Sequence, residues 1–301
     1  MTREWLNVTP EEYHAHPAYG SGAMRRFILD PTEFYVVDVA RTKQPDDSEP
    51  LRLGRDFHLA MEVGDEWKSW RIIPDKIQDD EVCREVNAGL KGNAKTLEPG
   101  APIDTDYVGH RRYLEQHRAQ AIADGVKCID GRVAPMVQAV FDNFACRELL
   151  SESGTLQSEV TCILKLAEGV ELKALLDILR PRGAIDFKTT RRRNRDDFLR
   201  DAFRKHGYQH QAGHYSLVTG KDEFHFVSIT SSYPYIAHAY EVPRQKLKEW
   251  RELAEKHVEW LVQCMRMRLL DDTDSQGIPY SFLGEGWGAM QEFSDDFMRM
   301  A

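Results

Sequence analysis

The chain has 301 residues, 42% of them hydrophobic and 30% charged, and a net charge of −9. That length supports one large domain or two smaller ones around a buried core, and the composition excludes a disordered or fibrous chain. No apolar run approaches the roughly 18 residues of a membrane helix. The opening MTREWLNVTPEEYHAHP lacks the apolar core of a signal peptide, so a cytoplasmic protein is expected.

Trp5 to Pro17 is an aromatic-containing lead-in. Ser21 is a candidate N-cap for a short helix through Leu29, stopped at Asp30–Pro31. Pro31–Val39 continues as a second short helix or an extended run, and Arg41–Pro50 reads as a loop. Arg25 and Arg26 fit a solvated helix face better than a phosphate contact. Leu51–Val63 reads as a helix with Leu51, Gly54, Phe57, His58 and Met61 on or near one stripe. Gly54 permits close approach of another backbone. His58, among apolar neighbours, reads on its own as a satisfied core histidine. Trp67–Pro102 is mixed and charged and is expected to be an insertion with little regular structure.

Asp104–Asp124 and Val133–Leu150 each show apolar residues at spacings of three and four, hence two helices with one buried face each. Leu156–Leu166 alternates and is rich in β-formers, and Ala167–Gly169 turns the chain back. Leu172–Leu179 and Ala184–Thr189 then form a hairpin around Pro181–Gly183, so the core is expected to be a three-stranded antiparallel meander. Asn194–Thr219 reads as helical with an interruption at Gly207. Phe224–Thr230 and Tyr235–Val242 form a further strand pair. Pro243–Leu270 is an amphipathic helix, suited to a lid on the sheet or a subunit contact. The tail is polar from Asp271, then aromatic with Tyr280, Phe282, Trp287, Phe293 and Phe297, suited to docking on the body or on a neighbouring subunit.

The chemistry concentrates in the central hairpin. Strand alternation puts Asp186 and Lys188 on one face and Phe187 on the other, and the turn lays Asp177 beside that pair. Two carboxylates and an ammonium on otherwise apolar strands are costly unless compensated. A hard divalent cation compensates them, since Mg²⁺ is held by one or two carboxylates together with phosphate and water. The lysine is then free to stabilise phosphate charge or orient an attacking water. The competing reading is a surface ion pair at the hairpin end. Glu159 adds a carboxylate at the start of the sheet, either ordering the site or simply exposed at a strand end. Tyr208, Gln211 and Tyr215 share one helix face that packs beside the strand carrying Asp186 and Lys188.

Despite the net negative charge, Arg180, Arg182, Lys188, Arg191, Arg192, Arg193, Arg195, Arg200, Arg204 and Lys205 form a basic cluster around the hairpin. The five cysteines (Cys83, Cys128, Cys146, Cys162, Cys264) are scattered with no C–x–x–C pair, which argues against a disulfide framework or a zinc ribbon.

In chain order the constellation is Gly54–x–x–x–His58, Glu159, Asp177, Asp186–x–Lys188–Thr189 and Gln211–x–x–x–Tyr215. It resembles the PD-(D/E)XK nuclease superfamily, and within it the branch that holds the RecB nuclease domain and phage exonuclease VIII. The opening SGAMRRFILDPTEFY resembles the same branch, and the resemblance runs from about Ser21 to about Tyr240. The resemblance implies an α/β fold with a restriction-endonuclease-like core, a central mixed sheet flanked by helices. It implies metal ligands at His58, Asp177, Asp186 and the Phe187 carbonyl, a catalytic Lys188, and supporting roles for Gln211, Tyr215 and, less directly matched, Glu159.

Two departures are visible: Asp177 lacks the preceding proline that names the superfamily, and Gly213 stands where a bulkier residue is expected. Mg²⁺, replaceable by Mn²⁺, is the implied cofactor. The implied activity is processive 5′-to-3′ digestion of linear duplex DNA, leaving 3′ single-stranded overhangs for phage recombination. A homo-oligomer, a tetramer by resemblance, and a single-strand annealing partner are also implied, in a bacterial host cytoplasm. Arg191, Arg192, Arg193, Arg195 and Tyr208 are the expected DNA contacts.

The expected layout is one nuclease domain over 1–301, with a helical segment at 1–63, an insertion at 64–104, the core at 105–242 and a helix and tail at 243–301. Competing readings are an endonuclease or single-strand-specific relative and a catalytically silent DNA-binding or assembly module. An iron–sulfur relative with three late cysteines is excluded, because only Cys264 follows the Gln211–Tyr215 helix. A helicase-associated nuclease would normally come with a fused motor, and no Gly–Lys–Ser/Thr phosphate loop is present in this sequence.

Overall fold

The central hairpin forms as the sequence indicates, with strands Glu171–Leu179 and Gly183–Thr190 on either side of the Pro181 turn. In this computed structural model the described residues are 1–42, 48–74, 76–77, 80–87, 98–101, 103, 108–151, 157–166 and 169–266. The aromatic tail from Asp271 lies outside them.

The described residues build a six-stranded sheet in the order β1 (Thr2–Leu6), β4 (Gln157–Lys165), β5 (Glu171–Leu179), β6 (Gly183–Thr190), β7 (Glu223–Thr230), β8 (Ala237–Glu241). Neighbours are antiparallel except β6 and β7, which run parallel and make the sheet mixed. A parallel pair needs a long crossover, here supplied by α9 (Arg195–Arg204) and α10 (Tyr208–Thr219). Gly207 separates these helices in a left-handed conformation, φ +66°. An added Cβ there would sit 2.6 Å from Arg25 Nε.

Apolar layers cover both faces. One joins Met24 and Phe27 of α2 (Ser21–Leu29) and Phe34 of α3 (Pro31–Phe34) to Tyr215 and Val218 of α10. It also takes in Leu247 and Leu261 of α11 (Arg244–Arg266). The other joins Leu53, Phe57 and Ala60 of α4 (Glu49–Val63) to Val133, Met136 and Val140 of α7 (Val133–Asp142), over Ile185, Phe187, Val227 and Ile229 of the sheet. Strand alternation sorts these residues. Phe224 and Phe226 point to the first layer, Val227 and Ile229 to the second.

The structure differs from the sequence reading at several places. Residues 2–6 form an edge strand where only a lead-in was expected; four of the five are exposed, so no alternation marks them. A short helix, α1 (Pro10–Ala15), follows with a capping box from Thr9 and Glu12. Gly20, not Ser21, is the N-cap of α2, while Asp30 caps α3 through Glu33 N at 2.9 Å. Helix α4 starts at Glu49, two residues earlier than expected.

The expected Val133–Leu150 helix is two, because Asn143 breaks it and caps α8 (Phe144–Ser151) through Cys146 N at 3.0 Å. The 67–102 stretch holds more regular structure than expected: β2 (Arg71–Ile73), and α5 (Asp80–Asn87) against α6 (Val108–Ala123). β2 pairs in parallel with β3 (Cys128–Asp130). A small third core of Ile73, Ile77, Cys83, Ile103 and Leu114 holds this unit together. Three-residue strands are too short to show a period, which is why neither was legible.

Candidate active site

The site lies where the sheet forks. β5 and β6 pair only near their turn, at Ile178–Ile185 and Leu179–Ala184. Beyond that the strands part, and the Asp177 carboxylate fills the gap by accepting from Phe187 N at 2.5 Å. At the far end of the fork β5 turns to a different partner: Tyr19 N donates to Glu171 O and Lys173 N to Tyr19 O.

On the other side of β5, Glu159 falls opposite Asp177, between the pairs Ser158–Ile178 and Val160–Leu176. Its backbone is left-handed, φ +51°, a conformation that costs a side-chain-bearing residue on the order of 1–3 kcal/mol and clusters at functional sites. His58, from α4, brings Nδ1 to 3.3 Å from Asp177 Oδ1. Gly54, one turn earlier, lies so close to β6 that a Cβ would stand 3.3 Å from Thr189 Oγ1. The close approach expected there is to a side-chain hydroxyl.

One ligand atom from each of His58, Glu159 and Asp177 lies within 4.8 Å of the other two. Asp186 is held differently. Its Oδ1 accepts from Gln211 Nε2 at 2.7 Å and its carboxylate is ion-paired with Lys188. The Lys188 ammonium sits 5.1 Å above the Tyr208 ring, which stacks in turn on Phe226. Tyr215 is 7% exposed and its phenol contacts Gln211. The Phe187 ring is buried in the layer under α4.

Electrostatics single out the same groups. Burial, then the charges of Asp177 and Glu62, push the Glu159 carboxyl up to about 7. Burial raises Asp186 to about 6 despite Lys188, with Asp177 adding to the rise. Burial alone would raise Asp177 as well, but His58 beside it outweighs this and holds it below the usual carboxylate range. Burial opposes charge on His58, and Asp177 more than offsets that, so the imidazole lies above its ordinary value. Glu62, four residues after His58, was not singled out from sequence, although i, i+4 spacing places it on the same helix face.

Carboxylate oxygens plus one imidazole form a donor set suited to a divalent cation. Beyond burial, the share of the Glu159 rise that comes from Asp177 and Glu62 reflects carboxylates crowded together, which a cation would offset. The residues present therefore fit the metal that the fold implies. Arg191, Arg192, Arg193 and Arg195 stand outside this cluster, exposed on the segment that follows β6. Arg192 binds Asp201 at 2.8 Å, Arg193 the Tyr233 carbonyl at 2.5 Å, and Arg195 lies 5.6 Å from the Tyr240 ring.

Comparison with protein-family models matches residues 102–272 to the family described as "PDDEXK-like domain of unknown function (DUF3799)". The chain belongs to this PDDEXK-like family. The matched stretch carries Glu159, Asp177, Asp186, Lys188, Gln211 and Tyr215, and leaves His58 outside. The PDDEXK-like domain has the restriction-endonuclease-like core implied by the sequence resemblance, a nuclease-type fold.

A solved structure from Eubacterium rectale, titled "Putative exonuclease", superposes with a TM-score of 0.50 at 14% identity, covering 86% of each chain. That likeness supports the shared fold. An alkaline exonuclease from Laribacter hongkongensis matches at 15% identity over 62% of this chain and 92% of its own, with a TM-score of 0.25. A phage related exonuclease from Haemophilus somnus 129PT matches at 17% identity over 45% and 83%, with a TM-score of 0.24. No curated protein matches the chain. Among the described residues no helix is long and apolar enough to cross a membrane.

Proposed function

We propose that the chain is a divalent-metal-dependent exodeoxyribonuclease that hydrolyses phosphodiester bonds of linear duplex DNA. The observation that carries this reading is the fork itself, where His58, Glu159 and Asp177 converge beside the paired Asp186 and Lys188. His58, Glu159 and Asp177 would hold Mg²⁺ or Mn²⁺, with Asp186 and the Phe187 carbonyl as further candidate ligands. Such a cation supplies Lewis-acid stabilisation of charge on the scissile phosphate.

The chain's own groups do the rest. Gln211 fixes the orientation of Asp186 by donating to Oδ1. Lys188, steered by Asp186 and the Tyr208 ring, presents an ammonium to developing phosphate charge and orients the attacking water. Arg191, Arg192, Arg193 and Arg195 contact the DNA backbone, which gives affinity without sequence preference. The sequence resemblance extends the proposal to 5′-to-3′ polarity, 3′ overhangs, a tetrameric assembly, an annealing partner and a role in phage recombination.

The test is digestion of end-labelled linear duplex DNA beside a closed circle, with and without Mg²⁺. The expected result is Mg²⁺-dependent loss of the linear substrate from its ends with the circle intact. Asp177→Asn and Lys188→Met are each expected to lower the rate by at least about 10²-fold with the fold retained by circular dichroism. Cleavage of the circle would point to an endonuclease. No cleavage of either, or full activity in both variants, would overturn the reading.

A further inference from the structure

Helix α4 carries His58, but its other side is gripped by a buried ionic network that takes no part in the site described above. Arg132 donates from Nε to Asp130 Oδ1 at 2.9 Å and from a terminal nitrogen to Asp130 Oδ2 at 2.8 Å. The same terminal nitrogen donates to Glu49 Oε1. Arg118 donates to both oxygens of Asp56, at 2.9 and 3.4 Å, and its guanidinium reaches within 3.9 Å of Asp130. Asp130 closes the chain, since its own backbone N–H donates to Asp56 Oδ2 at 3.1 Å. Asp130, Arg132 and Glu49 are 1%, 5% and 8% exposed.

Glu49 and Asp56 are seven residues apart, two turns along α4 on one stripe. Gly54 lies between them and presses on Thr189 of β6. His58 follows Asp56 by two residues, on the far side of the helix from the network. The apolar seam of Leu53, Phe57 and Ala60 is non-directional and tolerates small rotations of the helix. Charge-assisted hydrogen bonds at two points two turns apart do not. The rotation and axial position of α4, and with them the distance from His58 Nδ1 to Asp177, are thus set from the β2–β3 unit.

We infer that Arg132 and Asp130 are positioning residues for the His58 imidazole, coupling the small β2–β3 unit to the cation site; this rests on reading His58, Glu159 and Asp177 as that site. Groups that orient metal-ligating residues typically change metal affinity about 10–100-fold when replaced. Neither residue touches the site.

The experiment is a titration of the full chain with Mn²⁺, without DNA, read by electron paramagnetic resonance as free ion, with thermal melting alongside. Arg132→Met is expected to weaken Mn²⁺ binding by about tenfold or more. Its removal takes the guanidinium from Glu49 and leaves Asp130 only Arg118 as a side-chain cation, which can unfold the chain, so Glu49→Gln, which leaves the Arg132–Asp130 pair in place, serves as the milder variant. It is expected to weaken binding measurably with the fold retained. In a His58→Ala background, Glu49→Gln is expected to change Mn²⁺ affinity no further.

Unaltered affinity in folded Glu49→Gln overturns the inference. So does an equal loss with and without His58, since the effect then bypasses the imidazole. A parent chain that takes up no Mn²⁺ overturns the site reading, and the inference with it.

Discussion

Glu159 is the residue whose replacement separates stability from function. Its left-handed backbone and half-buried carboxyl both oppose folding, the first sterically and the second through desolvation and the Asp177 charge. A glycine in a strand normally costs about 0.5–1 kcal/mol. At φ +51° the steric cost is relieved, so Glu159→Gly is expected to be neutral or stabilising by about 1 kcal/mol. Mn²⁺ binding should fall in the same variant. Thermal melting and the Mn²⁺ titration check the two halves, and a clear drop in melting temperature would contradict the first. Asp177, Asp186 and Lys188 were legible as a group because strand periodicity and the Pro181–Gly183 turn act locally. The strain at Glu159 was not, because a dihedral angle imposed by sheet registry leaves no mark on residue type.

At the scale of elements, α10 and α11 pack through Gly213. A Cβ there would stand 2.4 Å from Trp250 O and 2.7 Å from its carbonyl carbon. The small residue between Gln211 and Tyr215, a departure from the expected pattern, thus has a packing cause in the backbone of the next helix. Gly213→Ala is expected to destabilise by about 1–3 kcal/mol through forced separation of the helices. Chemical denaturation checks this, and an unchanged midpoint would show that the helices part freely.

The central meander, the α9–α10 pair and the β7–β8 hairpin were readable because each is bounded by glycine, proline or a capping asparagine. Strand β1 was not, having exposed residues and a partner more than 150 positions away. The break at Asn143 was hidden because the apolar spacing continues across it. The ionic network around Arg132 was hidden because its five members come from three separate segments of the chain, and each alone reads as a solvated charge.

Across the whole molecule, charge is unevenly placed. The net charge is −9, yet the segment after β6 exposes four arginines within five positions. Reversing charge at Arg191, Arg192 and Arg193 together is expected to weaken DNA binding and lower the salt slope by about 0.9 for each phosphate no longer neutralised. Binding assays across a salt series check it, and an unchanged slope would place the DNA path elsewhere.

The layer between α2, α10 and α11 holds histidines that resist charging: burial lowers His257 and His214 to about 4 from 6.5. The unfolded chain protonates these below about pH 6.5 while the folded chain does not until about pH 4. Stability held at neutral pH is therefore lost as pH falls through that window. Comparing the parent with His257→Gln isolates one such group. The parent should lose up to about 1.4 kcal/mol per pH unit relative to the variant between those limits. Parallel stability curves would rule this out.

The segment from Thr2 to Tyr19 touches the middle of the chain at three places. β1 lines the sheet edge, Tyr19 bonds the open end of the fork, and Lys173 donates to the Tyr13 carbonyl across 160 residues. During synthesis, then, this segment leaves the ribosome before the strands it completes and waits unpaired until they have been translated. The fork that shapes the site closes late, around an arm made before it.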